Sequence, residues 1–193
     1  MKINTVKKIL SLLGLFAGVG LPLNGGAVPA QVILIRHGEK PLDDKNMSLS
    51  ENGSQRAKAL ALLFEKRPEL KKSWVPTALF ASAYIPGNGT KRPIETLTPL
   101  SETLHLKIDS SYARDDYEKL AQSILTNPMF DKKTIMISWV HTFIPKLAKA
   151  LGSSPAEKWD DAVYDRLWLI HFNPSGSVTS EEAYQKLLPG DSQ

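Results

Sequence analysis

The feature that most restricts the fold is the segment Gln31-Val32-Ile33-Leu34-Ile35, which is apolar after its first residue and stops abruptly at Arg36-His37-Gly38-Glu39. A short unbroken apolar run rich in β-branched residues predicts a strand covered on both faces rather than an amphipathic helix. Such a strand needs helices above and below it, so an α/β sheet with crossover connections is the natural setting. In open sheets of that kind ligands bind beyond the C-terminal ends of the strands. The charged tetrad therefore stands where chemistry is expected.

The rest of the chain repeats the alternation. Ser50 has the character of a helix N-cap, and Ala57, Leu60, Ala61 and Phe64 follow at helical spacing up to Pro68. Ala78 to Ala81 reads as a second strand, Pro93 to Leu104 as a helix, and Leu106 to Ile108 as a short strand. Asp115 or Asp116 caps a helix running through Leu125. Thr134 to Trp139 is another buried strand, and Thr142 to Leu151 a helix closed by Gly152. Tyr164 to Phe172 alternates as a strand, and Asn173-Pro174-Ser175-Gly176 is the turn of a hairpin leading to Ser177-Val178-Thr179. The expected architecture is a three-layer α/β/α sandwich around a mostly parallel central sheet.

The first thirty residues have another character. Lys2, Lys7 and Lys8 precede an uncharged apolar stretch from Ile9 to Leu23, and Gly25-Gly26-Ala27-Val28-Pro29-Ala30 supplies small residues. This order predicts a signal peptide over 1–30, cleaved after Ala27 or Ala30, and a single domain over 31–193 in the periplasm or outside the cell. An uncleaved anchor is the competing expectation, since the apolar run falls short of the roughly 20 residues that span a bilayer comfortably. Removing the three lysines leaves 21 basic residues against 20 acidic ones, a net charge of +1. The basic charge therefore belongs to the leader, and nucleic-acid binding gains nothing from it. The cluster Lys66, Arg67, Lys71, Lys72 is expected to be a solvated helix end. With no cysteine, a disulfide framework, a thiolate metal site, a cysteine nucleophile and a lipidated N-terminus are all ruled out.

A histidine between an arginine and a glycine at a strand end makes a place where an anion can approach the backbone. To attack phosphorus the imidazole must be neutral with one nitrogen free, and an adjacent guanidinium disfavours imidazolium. The same guanidinium binds phosphate oxygens through paired hydrogen bonds. Metal ligation by His37 and His141 is disfavoured by the flanking arginines, and no carboxylate cluster suited to magnesium accompanies them.

Arg36-His37-Gly38-Glu39-Lys40, followed by Leu49-Ser50-x-x-Gly53-x-x-Arg56-Ala57, resembles the opening of the histidine phosphatase superfamily, the phosphoglycerate mutase-like clan. Lys91-Arg92-Pro93-Ile94-Glu95-Thr96 resembles the clan's second motif, an arginine at the start of a helix. Ser138-Trp139-Val140-His141 resembles its third, a histidine closing a strand. The resemblance implies a phosphoglycerate mutase-like fold, His37 as the phosphorylated nucleophile, and a phosphate pocket of Arg36, His37, Arg92 and His141. It implies a small phosphorylated substrate or inorganic phosphate as ligand, with no metal and no cofactor.

The sequence departs from the clan in two places. The glutamate that protonates the leaving oxygen in the larger branch has no match, because that region reads Tyr112-Ala113-Arg114-Asp115-Asp116. Asp115 and Asp116 are the candidate acids, with helix capping as the alternative role. The segment between Ser82 and Arg92 is longer than the clan's usual spacing and glycine-rich, an exposed loop for which substrate contact through Lys91 or Tyr84 and a plain surface excursion are the two expectations. Glu39 is expected to orient neighbouring loops or offset the arginines, His105 and His171 to face outward from strands, and the four tryptophans to pack, Trp139 alone lying close enough to His141 in sequence to line the pocket instead. The expected activity is a metal-independent phosphohydrolase working through phosphohistidine. The alternatives are a phosphoglycerate mutase-like phosphotransferase and a non-catalytic protein that keeps the pocket and binds phosphate without turnover.

Overall fold

The computed structural model describes residues 28–66, 74–153 and 158–192. The apolar stretch and lysines of the expected leader lie outside the described residues, as do the side chains of the basic cluster at 66–72. No helix among the described residues is long and apolar enough to cross a membrane.

Six strands form one sheet: β1 (Gln31–Arg36), β2 (Ala78–Ala81), β3 (Ile108–Asp109), β4 (Thr134–Trp139), β5 (Arg166–Phe172) and β6 (Val178–Tyr184). Their spatial order is β3-β2-β4-β1-β5-β6. β1 pairs parallel with β4, β4 with β2, and β2 with β3, whereas β5 and β6 are added antiparallel at the other edge. The helices are α1 (Glu51–Ala61), α2 (Leu63–Lys66), α3 (Arg92–Leu104), α4 (Tyr117–Thr126) and α5 (Ile144–Ala150).

β1 shows why the sheet is sandwiched. Val32 and Leu34 enter a core with Leu120 and Ile124 of α4 and Ile144 and Leu147 of α5. Ile33 and Ile35 point the other way, into a core with Leu60 of α1 and Leu97 and Leu100 of α3. All four β1 side chains are at most 1% exposed, so each contributes about 1.5–3 kcal/mol by burial. Truncating Leu34 to alanine would cost about 2–5 kcal/mol.

Several boundaries differ from those expected. Strand β6 continues to Tyr184 because its register with β5 extends from Phe172↔Val178 back to Arg166↔Tyr184. His105 lies on no strand: it caps α3 in the left-handed conformation, φ 52°, and is exposed. α5 starts only at Ile144, since Phe143 and Ile144 both donate to the Val140 carbonyl in a preceding turn. Trp139 is fully buried in the α4/α5 core, and its Nε1 donates to the Arg114 carbonyl at 3.0 Å. It packs and holds a loop, and does not line a pocket.

Candidate active site

Parallel pairing of β1 with β4 in the register Arg36↔Trp139 brings the two histidine-bearing strand ends side by side. The His37 amide donates to the Trp139 carbonyl at 3.1 Å. Beyond it the chain is pressed against the start of α1. A Cβ on Gly53 would come within 2.5 Å of the Glu39 carbonyl oxygen, and one on Gly38 within 2.9 Å of the Gly53 carbonyl oxygen. Only glycine at both positions permits that approach. The Ser50 hydroxyl caps α1 by accepting from the Gly53 amide at 3.1 Å.

His37 is buried, and its Nδ1 lies 2.7 Å from the Gly38 carbonyl oxygen. A carbonyl can only accept, so Nδ1 carries the hydrogen and the lone pair sits on Nε2. Burial, reinforced by the charges of Arg36, Arg92 and His141, pushes the imidazole pKa down to about 3. At neutral pH the ring is neutral, with its unprotonated nitrogen fixed in place.

Arg36 is 1% exposed. Its guanidinium donates to the Asp161 carbonyl, to Asp161 Oδ1 at 2.8 Å and to the Tyr164 hydroxyl at 3.1 Å, and it stacks 3.8 Å from the Tyr164 ring centroid. Arg92 opens α3, where the free amides of the first turn add positive potential. It donates to the Asn46 carbonyl at 2.9 Å. Thr96, one turn on, donates to the Arg92 carbonyl and accepts the Gly38 amide, tying α3 to the loop after His37. Burial lowers the pKa of both arginines, and no described carboxylate forms an ion pair with Arg92. His141 points Nε2 at Asp161 Oδ1, 3.4 Å away, and its pKa falls through burial and the charge of Arg36.

The structure thus gathers Arg36, His37, Arg92 and His141 into one group, each within electrostatic reach of others. Arg36 Nε, Arg92 Nε and His141 Nδ1 are buried polar atoms with no partner among the described residues. Buried donors left open this way are unusual and suit an anionic ligand. No group of three potential metal-ligating side chains occurs among the described residues.

Asp115 and Asp116 make no contact with this group. Asp115 is exposed and accepts from Asn88 Nδ2 at 3.4 Å. Asp116 accepts from Lys119 and from the Ala113 amide, interactions that lower its pKa and hold it ionised. These contacts close the turn before α4, the capping role expected as its alternative. Glu39 forms a bidentate pair with Arg56. Lys91 lies 5.4 Å from the centroid of the partly exposed Tyr84 ring, so the two loop residues contact each other. His171 faces Glu181 across the hairpin at 3.4 Å.

Sequence reasoning missed Asp161 and Tyr164. Both lie on the loop before β5, 125 and 128 residues from Arg36. No local pattern marks them, because only the antiparallel return of β5 beside β1 carries that loop to the site.

No protein-family model matches the chain, and no curated protein does. Among solved structures it is similar to a mycobacterial glucosyl-3-phosphoglycerate phosphatase, with TM-score 0.52 and 14% identity over 80% of this chain and 97% of that one. The same enzyme in complex with inorganic phosphate matches at TM-score 0.52 and 15% identity, covering 80% of this chain and 95% of that one. A phosphoglycerate mutase from Plasmodium falciparum matches at TM-score 0.54 and 17% identity, over 84% and 96% of the respective chains. The likeness defines an α/β protein of the phosphoglycerate mutase-like fold. These neighbours are a phosphatase and a phosphoglycerate mutase, and at such identities the likeness is one of fold.

Proposed function

We propose that the chain is a phosphohydrolase of the histidine phosphatase type, with His37 as nucleophile and Arg36, Arg92 and His141 as the phosphate pocket. One observation carries the proposal: a buried histidine with Nδ1 fixed on a carbonyl stands among buried arginine and histidine nitrogens that have no partner among the described residues. His37 Nε2 attacks phosphorus as the bond to the leaving oxygen breaks. Water then attacks the phosphohistidine, the P–N bond breaks, and phosphate leaves with His37 neutral again. Charge building on the outer oxygens meets two guanidiniums and a protonatable imidazole in a low-dielectric site. None of these steps calls for a metal. The phosphatase and phosphate-complex neighbours support a phosphorylated ligand. Export to the periplasm or beyond is part of the same proposal and rests on the sequence of residues 1–30.

The test is phosphate release from para-nitrophenyl phosphate and from a phosphoanhydride by the mature protein in EDTA, beside His37→Ala. Turnover should survive chelation, vanish in the variant, and leave acid-labile phosphate on the wild-type protein after quenching in alkali. Phosphate binding without turnover of either compound would instead establish an anion-binding protein. Transfer of the phosphoryl group to an added alcohol, in place of free phosphate, would establish a phosphotransferase.

A further inference from the structure

We propose that Asp161, at the mouth of the pocket, protonates the leaving oxygen and then accepts the proton of the attacking water. The inference rests on the phosphohistidine reading of His37.

Asp161 Oδ1 lies 2.8 Å from Arg36 Nη2 and 3.4 Å from His141 Nε2, so it touches two of the four pocket residues directly. Its backbone carbonyl accepts a second Arg36 donor, which fixes the loop and not merely the side chain. Other carboxylates have partners outside the group: Glu39 in Arg56, Glu95 in the Leu49 amide, Asp165 in Ser192 and Asp116 in Lys119. Asp44 pairs with Lys40 at 3.7 Å and is 86% exposed.

Position supports the role. His37 is 3% exposed, while the Asp161 side chain, in contact with Arg36 and His141, is 62% exposed. A leaving group departs from His37 towards solvent, so its acid must stand at the mouth.

The charge pattern supports it too. In the free protein Arg36, His141 and the more distant Lys40 together keep the carboxyl ionised, although partial burial opposes them. The Tyr164 hydroxyl also faces Arg36 from the same loop. A phosphate dianion docking on Arg36 and Arg92 reverses the local potential, and a carboxylate beside it gains a proton. That proton comes from solvent or from the monoanionic substrate, whose second ionisation lies near pH ~6. As the His37–P bond forms and the P–O bond breaks, the proton passes from Asp161 to the leaving oxygen. In the second half the carboxylate takes it back from water as the P–N bond breaks. Proton and charge balance over the cycle.

Asn at 161 keeps an acceptor for Arg36 but cannot deliver the proton, so Asp161→Asn separates acid from positioning. Its kcat/KM should fall about 10²–10⁴-fold on glycerol 2-phosphate, whose alkoxide needs protonation, and about tenfold or less on para-nitrophenyl phosphate. Asp161→Glu should recover part of the alkyl-ester activity. Equal losses on both esters, or no loss on either, overturn the proposal. Tighter phosphate binding with unimpaired turnover of both in Asp161→Asn also overturns it and marks Asp161 as an internal occupant of the pocket. His37→Ala run alongside keeps the two readings apart. Turnover surviving in that variant sinks the phosphohistidine mechanism, whereas its loss together with uniform Asp161→Asn losses sinks the acid alone.

Discussion

Two buried arginines, one paired with Glu39 just after His37 and the other within electrostatic reach of His37 itself, are built on opposite plans. Arg56 spans Glu39 and Asp191 with charge-assisted bonds of 2.7 Å to each, and its pKa is raised by those partners in spite of burial. Asp191 in turn accepts the amides of Leu187 and Leu188, so the C-terminal segment is fastened to the loop that follows His37. Arg92 is likewise buried, yet it has one carbonyl partner, an open Nε and a lowered pKa. The first arrangement spends its charge inside the fold. The second leaves a buried guanidinium without an ion-pair partner among the described residues, which costs stability and fits the proposed role in holding an external anion.

The sharpest way to break this contrast is a matched pair of substitutions. Arg56→Met should destabilise the fold by about 3–5 kcal/mol in urea or thermal unfolding, because it strands two partly or wholly buried carboxylates. Arg92→Met should leave the melting temperature unchanged or higher while phosphatase kcat falls about 10²–10³-fold. If Arg92→Met unfolds the protein as readily as Arg56→Met does, the distinction between a structural and a ligand-seeking arginine is wrong.

A smaller effect sharpens the same comparison through pH. His37 has a folded pKa of about 3 against an ordinary value of ~6.5, so between these limits the unfolded chain binds a proton that the native site refuses. Stability from this residue is fully present above pH ~6.5 and is lost as the pH falls towards 3, by about 2 kcal/mol at pH ~5. His37→Gln should flatten the slope of stability against pH over that window. An unchanged slope would mean that the imidazole is not held neutral by its surroundings.

Much of the scaffold was legible because the relevant forces act over a few residues. The apolar runs at β1 and β4, the Ser50 cap and the buried stripes of α1 and α3 all follow from local periodicity and capping. The glycine at 53 and the arginine at 56 were legible only as a pattern. Their reasons, a close approach to Glu39 and a bridge to the C-terminal segment, are tertiary. His105 shows the limit from the other side, since the alternation around it looks strand-like while the chain uses it to end a helix in a left-handed turn.

By itself, then, the sequence determined the layers, the parallel core and a histidine beside an arginine at the right edge of the sheet, because hydrophobic period and strand length are written locally. Which charges would be paired was decided only by the tertiary structure. The order of the strands chooses the loops that meet, bringing Asp161 and Tyr164 to Arg36 and Asp191 to Arg56 from more than a hundred residues away. An arginine's role depends on whether such a partner arrives, and nothing within reach of its own neighbours in the chain specifies that.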